Sequence, residues 1–231
     1  MNIYSLTDIG SRFENQDHYW VTKFRDSDTD SEIVVGVLCD GVGGLEQGGV
    51  TSRELVKQIR ASISRGVLDL DSIENLVLKY NDAIVNSHIN SGSTIDYFII
   101  SDNTLQVLHA GDSRVYALPS VGNCVGSPLT SDDSALNHLR SQGVEMTPEV
   151  VSKNLNKLTN AIGMPKLTLH RFSVGLSDAS GVLVASDGFW HIFDMQSWEL
   201  VSLDTTFLSL ALDKGRSLGE TDNATAILVT I

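Results

Sequence analysis

Residues 33–44 read IVVGVLCDGVGG, an apolar run of buried-strand length that ends in Asp40 and a group of glycines. Short apolar runs bounded by turn residues predict strands that are covered on both faces. Residues 181–188, GVLVASDG, repeat the arrangement and end in Asp187 and Gly188. A strand end holds a carboxylate rigidly, and the glycine behind it lets the backbone turn sharply and expose a carbonyl group. Asp-Gly is also a common turn, so either copy alone indicates only a loop.

Aspartates beside apolar strands recur along the chain, and together they predict a metal site. They are Asp17, Asp40, Asp112, Asp187 and Asp222. If their strands share two packed sheets, the five side chains can converge. Converging carboxylates repel one another unless cations neutralise them. Hard oxygen ligands of this kind select Mg²⁺, Mn²⁺ or Ca²⁺.

Other phosphate- and metal-binding patterns fail in this sequence. Residues 26–31 begin like an EF-hand loop, but the sixth position is Ser31 instead of glycine. The glycine-rich stretch 41–49 lacks the Lys-Ser/Thr of a P-loop, and Glu46 takes the last glycine position of GxGxxG. The histidines show no HxH or HExxH spacing, which disfavours zinc. Arg12 gains interest beside such a cluster, because guanidinium binds phosphate through two hydrogen bonds, although a lone arginine is usually a solvated surface residue.

Composition predicts one ordinary globular domain spanning residues 1–231. The chain has 42% hydrophobic and 19% charged residues, and its net charge of −13 argues against nucleic acid and anionic membranes as partners. Cys39 and Cys124 form no CxxC motif and are expected to act as small hydrophobic residues in a reducing compartment. Without a signal-peptide pattern or an apolar run of membrane-spanning length, the expected location is the cytoplasm.

Strands and helices are predicted in an order that gives an α+β protein. The predicted strands are 2–6, 18–24, 33–39, 95–101, 105–110, 115–118, 167–174, 181–185 and 224–231, and the predicted helices are 47–66, 71–89, 134–141, 148–158 and 198–215. Asp71 is the expected N-cap of the second helix, and Asp102-Asn103 is the expected hairpin turn. Strands do not alternate with helices, so antiparallel sheets with helices packed outside are favoured over a doubly wound parallel sheet.

Eight motifs in order resemble those of the metal-dependent protein phosphatases (type 2C, or PPM), in particular the short bacterial members. The motifs are TDIG with Arg12 and NQD in residues 7–17, DGVGG in 40–44, GST in 92–94, GDSR in 111–114, LTSD in 129–132, LTNAIG in 158–163, SDGFW in 186–190 and DNAT in 222–225. The resemblance runs nearly from end to end. It implies a four-layer α/β/β/α sandwich, in which two central antiparallel sheets are flanked by helices and the metal site lies at one end.

The resemblance also implies a role for each residue of a two-metal centre that takes Mn²⁺ or Mg²⁺. Asp40 would bridge the two metals, and Asp187 and Asp222 would complete the coordination of one. The Gly41 carbonyl group would bind the other metal, and Asp17 would hold it directly or through water.

A weaker third metal is implied as well, bound by Asp112 with a share of Asp187. Arg12 would hold the substrate phosphate, so the expected catalytic residues are Arg12, Asp40 and Asp187. Residues 119–163 would form the variable flap that shapes substrate choice.

The implied activity is hydrolysis of phosphoserine and phosphothreonine in other proteins by a water that bridges the two metals. The expected partners are phosphorylated proteins, including a serine/threonine kinase and its targets, and the expected state is a monomer. Two alternatives stay open: a catalytically weak module that binds phosphoproteins, and a hydrolase of small phosphoesters.

Three positions depart from the family pattern. His191 stands where an aspartate is common after SDGxW, which puts the third metal in doubt; it is expected to be a packed surface histidine, with proton donation as the alternative. Asp133 replaces the usual histidine of LTxDH, and Val42 replaces a histidine credited as general acid in eukaryotic members. None of these departures removes a ligand of the two-metal core.

Overall fold

The computed structural model describes residues 1–43, 47–122, 125–195 and 198–231. Gly44 and Glu46 of the glycine-rich stretch and Cys124 lie outside the described residues, so the interpretations placed on them concern the sequence only. Within the described ranges, no helix combines the length and the apolar character needed to cross a bilayer.

Two antiparallel sheets form the centre of the protein. One has the strand order β1-β9-β8-β6, formed by Asn2–Asp8, Ala224–Thr230, Gly181–Ala185 and Arg114–Leu118. The other has the order β2-β3-β4-β5-β7, formed by Asp17–Arg25, Glu32–Asp40, Ile95–Ser101, Thr104–Ala110 and His170–Gly175. Every strand pair in both sheets is antiparallel, as the sequence predicted.

Helices lie outside both sheets. They are α1 (Gly48–Ile63), α2 (Leu70–Ser87), α3 (Ala135–Ser141), α4 (Pro148–Asn154), α5 (Asp187–Met195) and α6 (Thr205–Ser217). Helices α1 and α2 pack on the five-stranded sheet, and α5 and α6 pack on the four-stranded sheet.

Apolar side chains of the two sheets meet in a third core between them, which includes Leu38, Phe98, Val184 and Ile227. The layers are therefore α/β/β/α, and the predicted fold class is confirmed. Because β3 is covered on both faces, its run from residue 34 to residue 39 is fully buried and its sequence does not alternate.

Several element boundaries differ from the prediction. The last predicted helix begins at Thr205 instead of residue 198, β7 begins at His170 instead of residue 167, and α4 ends at Asn154 instead of residue 158. Helix α2 is capped by Asp69, whose side chain accepts a hydrogen bond from the Ser72 amide, so the choice of Asp71 was wrong.

Helix α5 was not predicted at all. Its sequence, DGFWHIFDM, opens with a glycine in its first turn and is rich in aromatic residues, which favour helices weakly. Phe189, Trp190 and Ile192 are buried against the four-stranded sheet and supply the stabilisation that the local sequence lacks. The Asp102-Asn103 turn was predicted correctly, and both residues have positive φ angles of 46° and 58°.

Candidate active site

Strand ends from both sheets bring the predicted aspartates to one end of the sandwich. Asp17 begins β2, Asp40 ends β3, and Asp112 lies between β5 and β6. Asp187 follows β8, and Asp222 precedes β9. Four of the five, all except Asp17, line one cavity of about 510 Å³ together with Arg12 and Gly41.

Asp17 is not part of the cavity lining, but it pairs in register with Asp40 and is 5% exposed. Ser186 donates a hydrogen bond of 2.7 Å to its Oδ2 atom, while its Oδ1 atom has no hydrogen-bond partner among the described residues. Burial, with a contribution from the charge of Asp187, raises the pKa of Asp17 to about 6. A buried carboxylate oxygen without a partner is unfavourable, and a bound cation would satisfy it.

The other carboxyl groups are also hard to ionise together. Loss of water contact raises the pKa of Asp40 well above its usual range, and the charges of Asp17, Asp187 and Asp112 raise it further. Burial and then the charge of Asp187 raise the pKa of Asp112 to about 8. Burial also raises the pKa of Asp187. These shifts reflect first the burial of the carboxyl groups and then the repulsion between neighbouring acids.

Arg12 supplies one positive charge at the cavity. Its Nη2 atom lies 2.6 Å from Oδ2 of Asp222, and its side chain is half exposed. The hydrogen bond and the charge of Asp222 raise the pKa of Arg12, and Asp187 and Asp40 add to the effect. The guanidinium group therefore lies within the acidic cluster and is a partner for Asp222.

Three polar residues organise the cluster without having been singled out as functional. Thr94 accepts a hydrogen bond of 2.9 Å from the Asp40 amide. The side-chain Nδ2 atom of Asn223 donates to the carbonyl groups of Ile9 and Glu14, and its Oδ1 atom accepts from the backbone amide of Gln16. Asn223 therefore holds the segment that carries Arg12. Ser186, described above, is the third. The signal available was their position inside the family-like motifs, which are GST for Thr94, SDGFW for Ser186 and DNAT for Asn223.

The glycines after Asp40 and Asp187 permit close packing of the backbone. A Cβ atom added to Gly188 would lie 2.1 Å from the Asn223 carbonyl oxygen, and one added to Gly41 would lie 2.6 Å from the Gly48 carbonyl carbon. Real Cβ atoms do not approach backbone atoms so closely. The glycine of each Asp-Gly pair is therefore required because another backbone segment packs against it, and not only because the chain turns there.

His191 is a partly buried member of this region, with 32% of its side chain exposed. Its Nδ1 atom lies 3.1 Å from Oε2 of Glu220. Burial alone would lower the pKa of His191, but the hydrogen bond to Glu220 and the charge of Asp187 raise it overall. His191 thus lies near Asp187 and Asp112 at the position where the family pattern has an acid.

The donor atoms fit Mg²⁺ or Mn²⁺ in chemical type, because the cavity presents carboxylate oxygens and Asp17, the register partner of Asp40, has a buried Oδ1 atom without a partner among the described residues. In the described ranges, however, no three acidic, histidine or cysteine side chains are already grouped as an ion would hold them. Asp222 is paired with Arg12 in this arrangement.

Comparison with known proteins gives a consistent picture. No family model matches the chain. Protein phosphatase PhpP of Streptococcus pneumoniae is 27% identical over 255 aligned positions, which cover 100% of this chain and 98% of the relative.

Two solved structures have the same fold. The Streptococcus agalactiae serine/threonine phosphatase has a TM-score of 0.74 at 25% identity and covers 100% of this chain and 99% of its own. Serine/threonine phosphatase Stp1 of Staphylococcus aureus has a TM-score of 0.77 at 23% identity, with coverage of 99% and 94%. The resemblance to the bacterial metal-dependent protein phosphatases is therefore confirmed, in sequence along the whole chain and in fold.

Proposed function

We propose that this protein is a serine/threonine phosphatase that removes phosphate from other proteins and depends on two Mn²⁺ or Mg²⁺ ions. The observation that carries the proposal is the convergence of Asp40, Asp112, Asp187, Asp222 and Arg12 on one cavity, with the buried Asp17 in register with Asp40. The named relatives, which are protein phosphatases, support the same activity.

Each acid has a proposed place in the cation site. Asp40, Asp187 and Asp222 would hold one of the two cations, and Asp40, Asp17 and the Gly41 carbonyl group would hold the other. Bound divalent cations would acidify a water molecule and offset charge on the phosphoryl oxygens. The close packing at Gly41 and the hydrogen bond from Ser186 to Asp17 support the proposal that the ligands of this second cation are held in place before it binds.

Arg12 and Asp112 have separate proposed roles. Arg12 binds the phosphate of the substrate, and the anionic phosphate replaces Asp222 as its partner. Asp112 would share a third, weaker cation with Asp187, and His191 would lower the affinity of that position when it is protonated. Val42 lines the cavity but has no proton to donate to the leaving oxygen.

A protein substrate is favoured over a small phosphoester by the rim of the cavity. Phe13, next to Arg12, lines the cavity and its side chain is fully exposed. An aromatic side chain in this position offers apolar contact to residues beside a phosphorylated serine or threonine. The proposed partners are a serine/threonine kinase and its targets, which the enzyme would dephosphorylate in the cytoplasm. The enzyme is proposed to be a monomer, and residues 119–163 are its proposed flap.

A direct assay tests this proposal. Phosphate release should be measured from a phosphothreonine peptide and from p-nitrophenyl phosphate with Mn²⁺, for the wild type and for Phe13→Ala. We expect both substrates to be hydrolysed and Phe13→Ala to raise KM for the peptide more than for p-nitrophenyl phosphate. Hydrolysis of the small ester alone would favour the small-phosphoester alternative, and hydrolysis of neither would favour the non-catalytic module.

A further inference from the structure

The segment 111–114 consists of the loop after β5, which carries Asp112, and the first residue of β6, and a pair of neighbouring aspartates holds it on both sides. Asp132 and Asp133 lie in the stretch that leads from β6 to α3. Asp133 also occupies a position where the family pattern has histidine. Neither carboxylate lines the cavity.

Asp133 contacts the loop on the side that precedes Asp112. The Gly111 amide donates a 3.1 Å hydrogen bond to Oδ2 of Asp133, and the Asp133 amide donates a 2.8 Å hydrogen bond to the Gly111 carbonyl group. Oδ2 also accepts a 2.6 Å hydrogen bond from the side-chain Nδ2 atom of Asn160, and Oδ1 lies 3.0 Å from Nε2 of His170. Both oxygens of Asp133 are thus committed to fixed partners, and a histidine could not accept all these hydrogen bonds.

Asp132 contacts the loop on the side that follows Asp112. Its two oxygens accept hydrogen bonds of 2.8 Å from Nε and from Nη2 of Arg114. The Arg114 guanidinium group lies 3.3 Å from the centre of the Trp190 ring, and Trp190 donates a 2.8 Å hydrogen bond to the Asp112 carbonyl group. The backbone of Asp112 is therefore fixed by contacts that continue from Asp132.

We propose that Asp132 and Asp133 are positioning residues that fix the Asp112 carboxylate at the cavity and couple it to residues 119–163. Thr159 donates a hydrogen bond to the Asp133 carbonyl group, and Leu158 of the same segment lines the cavity. A substrate that displaces this segment therefore also moves Asp112. The proposal rests on the proposed function only where it concerns cation binding.

Asp133→Ala tests the coupling, with Asp69→Ala as the matched control. Each change removes a carboxylate that accepts a backbone hydrogen bond, but Asp69 caps α2 and is absent from the cavity lining. The first readout is hydrogen exchange of the peptide that spans residues 111–114, measured without added metal. The second is the Mn²⁺ concentration that gives half-maximal hydrolysis of p-nitrophenyl phosphate.

Asp133→Ala should speed exchange in residues 111–114 about 10-fold and raise the half-maximal Mn²⁺ concentration about 10-fold, in the range seen for residues that orient metal ligands. At saturating Mn²⁺, kcat should stay within about twofold of the wild type. Asp69→Ala should lower Tm without either change. His170→Ala removes one contact of Asp133 at a half-exposed site and should shift exchange in the same direction by less.

Unchanged exchange of residues 111–114 in both Asp133→Ala and His170→Ala would overturn the proposal. So would an equal rise in the Mn²⁺ requirement for Asp69→Ala, because that result would mean general destabilisation. If Asp133→Ala does not fold, His170→Ala decides the outcome. The exchange measurement needs no turnover, so an inactive wild type would overturn the proposed function and leave the coupling to be decided separately.

Discussion

Asp17 and Asp40 are register partners at the ends of β2 and β3, so two acidic residues from adjacent strands lie side by side at the cavity end of the sheet. Two carboxylates this close cannot both be ionised at low cost unless a proton or a cation lies between them. Burial raises the pKa of both groups, and the charge of Asp17 raises the pKa of Asp40 further. This pair is the centre of the proposed two-metal site.

Arg12→Ala tests phosphate recognition. Hydrogen bonds to a charged group contribute about 1.5–3 kcal/mol, so the loss should raise KM for phosphorylated substrates about 10- to 100-fold. The measurement is steady-state kinetics at saturating Mn²⁺. Arg25→Ala is the matched control, because Arg25 forms an exposed ion pair with Asp30 on a distant loop and should leave KM unchanged. Equal kinetics for the two variants would exclude Arg12 from substrate binding.

Ser186→Ala tests the support of Asp17. The hydroxyl group donates to Asp17 and accepts a 2.9 Å hydrogen bond from the Thr225 amide, and all these groups are buried. Because the change leaves both partners unsatisfied, unfolding free energy should fall by about 1–3 kcal/mol. Mn²⁺ affinity, measured by calorimetry, should fall about 10- to 100-fold. Ser64→Ala, at an exposed hydroxyl group on the end of α1, provides the comparison. Normal affinity in Ser186→Ala would show that Asp17 needs no such support.

A buried ion pair away from the proposed metal ligands gives a pH-dependent prediction. His109 and Asp96 are opposite each other in β5 and β4, with Nδ1 and Oδ1 2.9 Å apart. Burial opposes protonation of His109, but Asp96 and, more weakly, Asp133 raise its pKa overall. Because the pKa of His109 is raised in the folded state, its protonation contributes to the unfolding free energy. That contribution is complete below about pH 6.5, the pKa of an unfolded histidine, and is lost as pH rises through the folded-state pKa.

His109→Ala should therefore lower unfolding free energy more at pH 5.5 than at pH 9. Removal of one partner of a buried pair costs about 3–5 kcal/mol, and this range is expected at the lower pH. Urea unfolding of the wild type and the variant at both pH values gives the difference. His138→Ala, at an exposed position on α3, should show no such dependence. A loss for His109→Ala that does not change with pH would mean that His109 is neutral throughout.

The strands and the acidic cluster were predictable because their signals are local. An apolar run such as residues 34–39 defines a buried strand by itself, and a following Asp-Gly pair marks its end. Antiparallel pairing then places strand ends and strand starts at the same end of the sandwich. The individual metal-binding roles came from the order of the family-like motifs, and each of these roles is still a proposal.

Contacts between distant segments were not predictable from the sequence. Ser186 and Asp17 are 169 positions apart, and Asp133 and Gly111 are 22 apart, so no local pattern links them. Helix α5 was missed for a related reason, because its stability comes from burial of Phe189 and Trp190 against a sheet. The α2 cap was misplaced by two residues, since Asp69 and Asp71 are both suitable caps in sequence.

The central claim concerns cations held between Asp17, Asp40 and the acids of the other sheet, and Mn²⁺ binding tests it most directly. Calorimetric titration of the metal-free protein should show at least two bound ions in the wild type. Asp40→Asn should lose the paired binding and lower kcat for p-nitrophenyl phosphate at least about 100-fold, while circular dichroism stays unchanged. EDTA should abolish wild-type turnover. Full turnover in EDTA, or unchanged Mn²⁺ binding by a folded Asp40→Asn, would contradict the account.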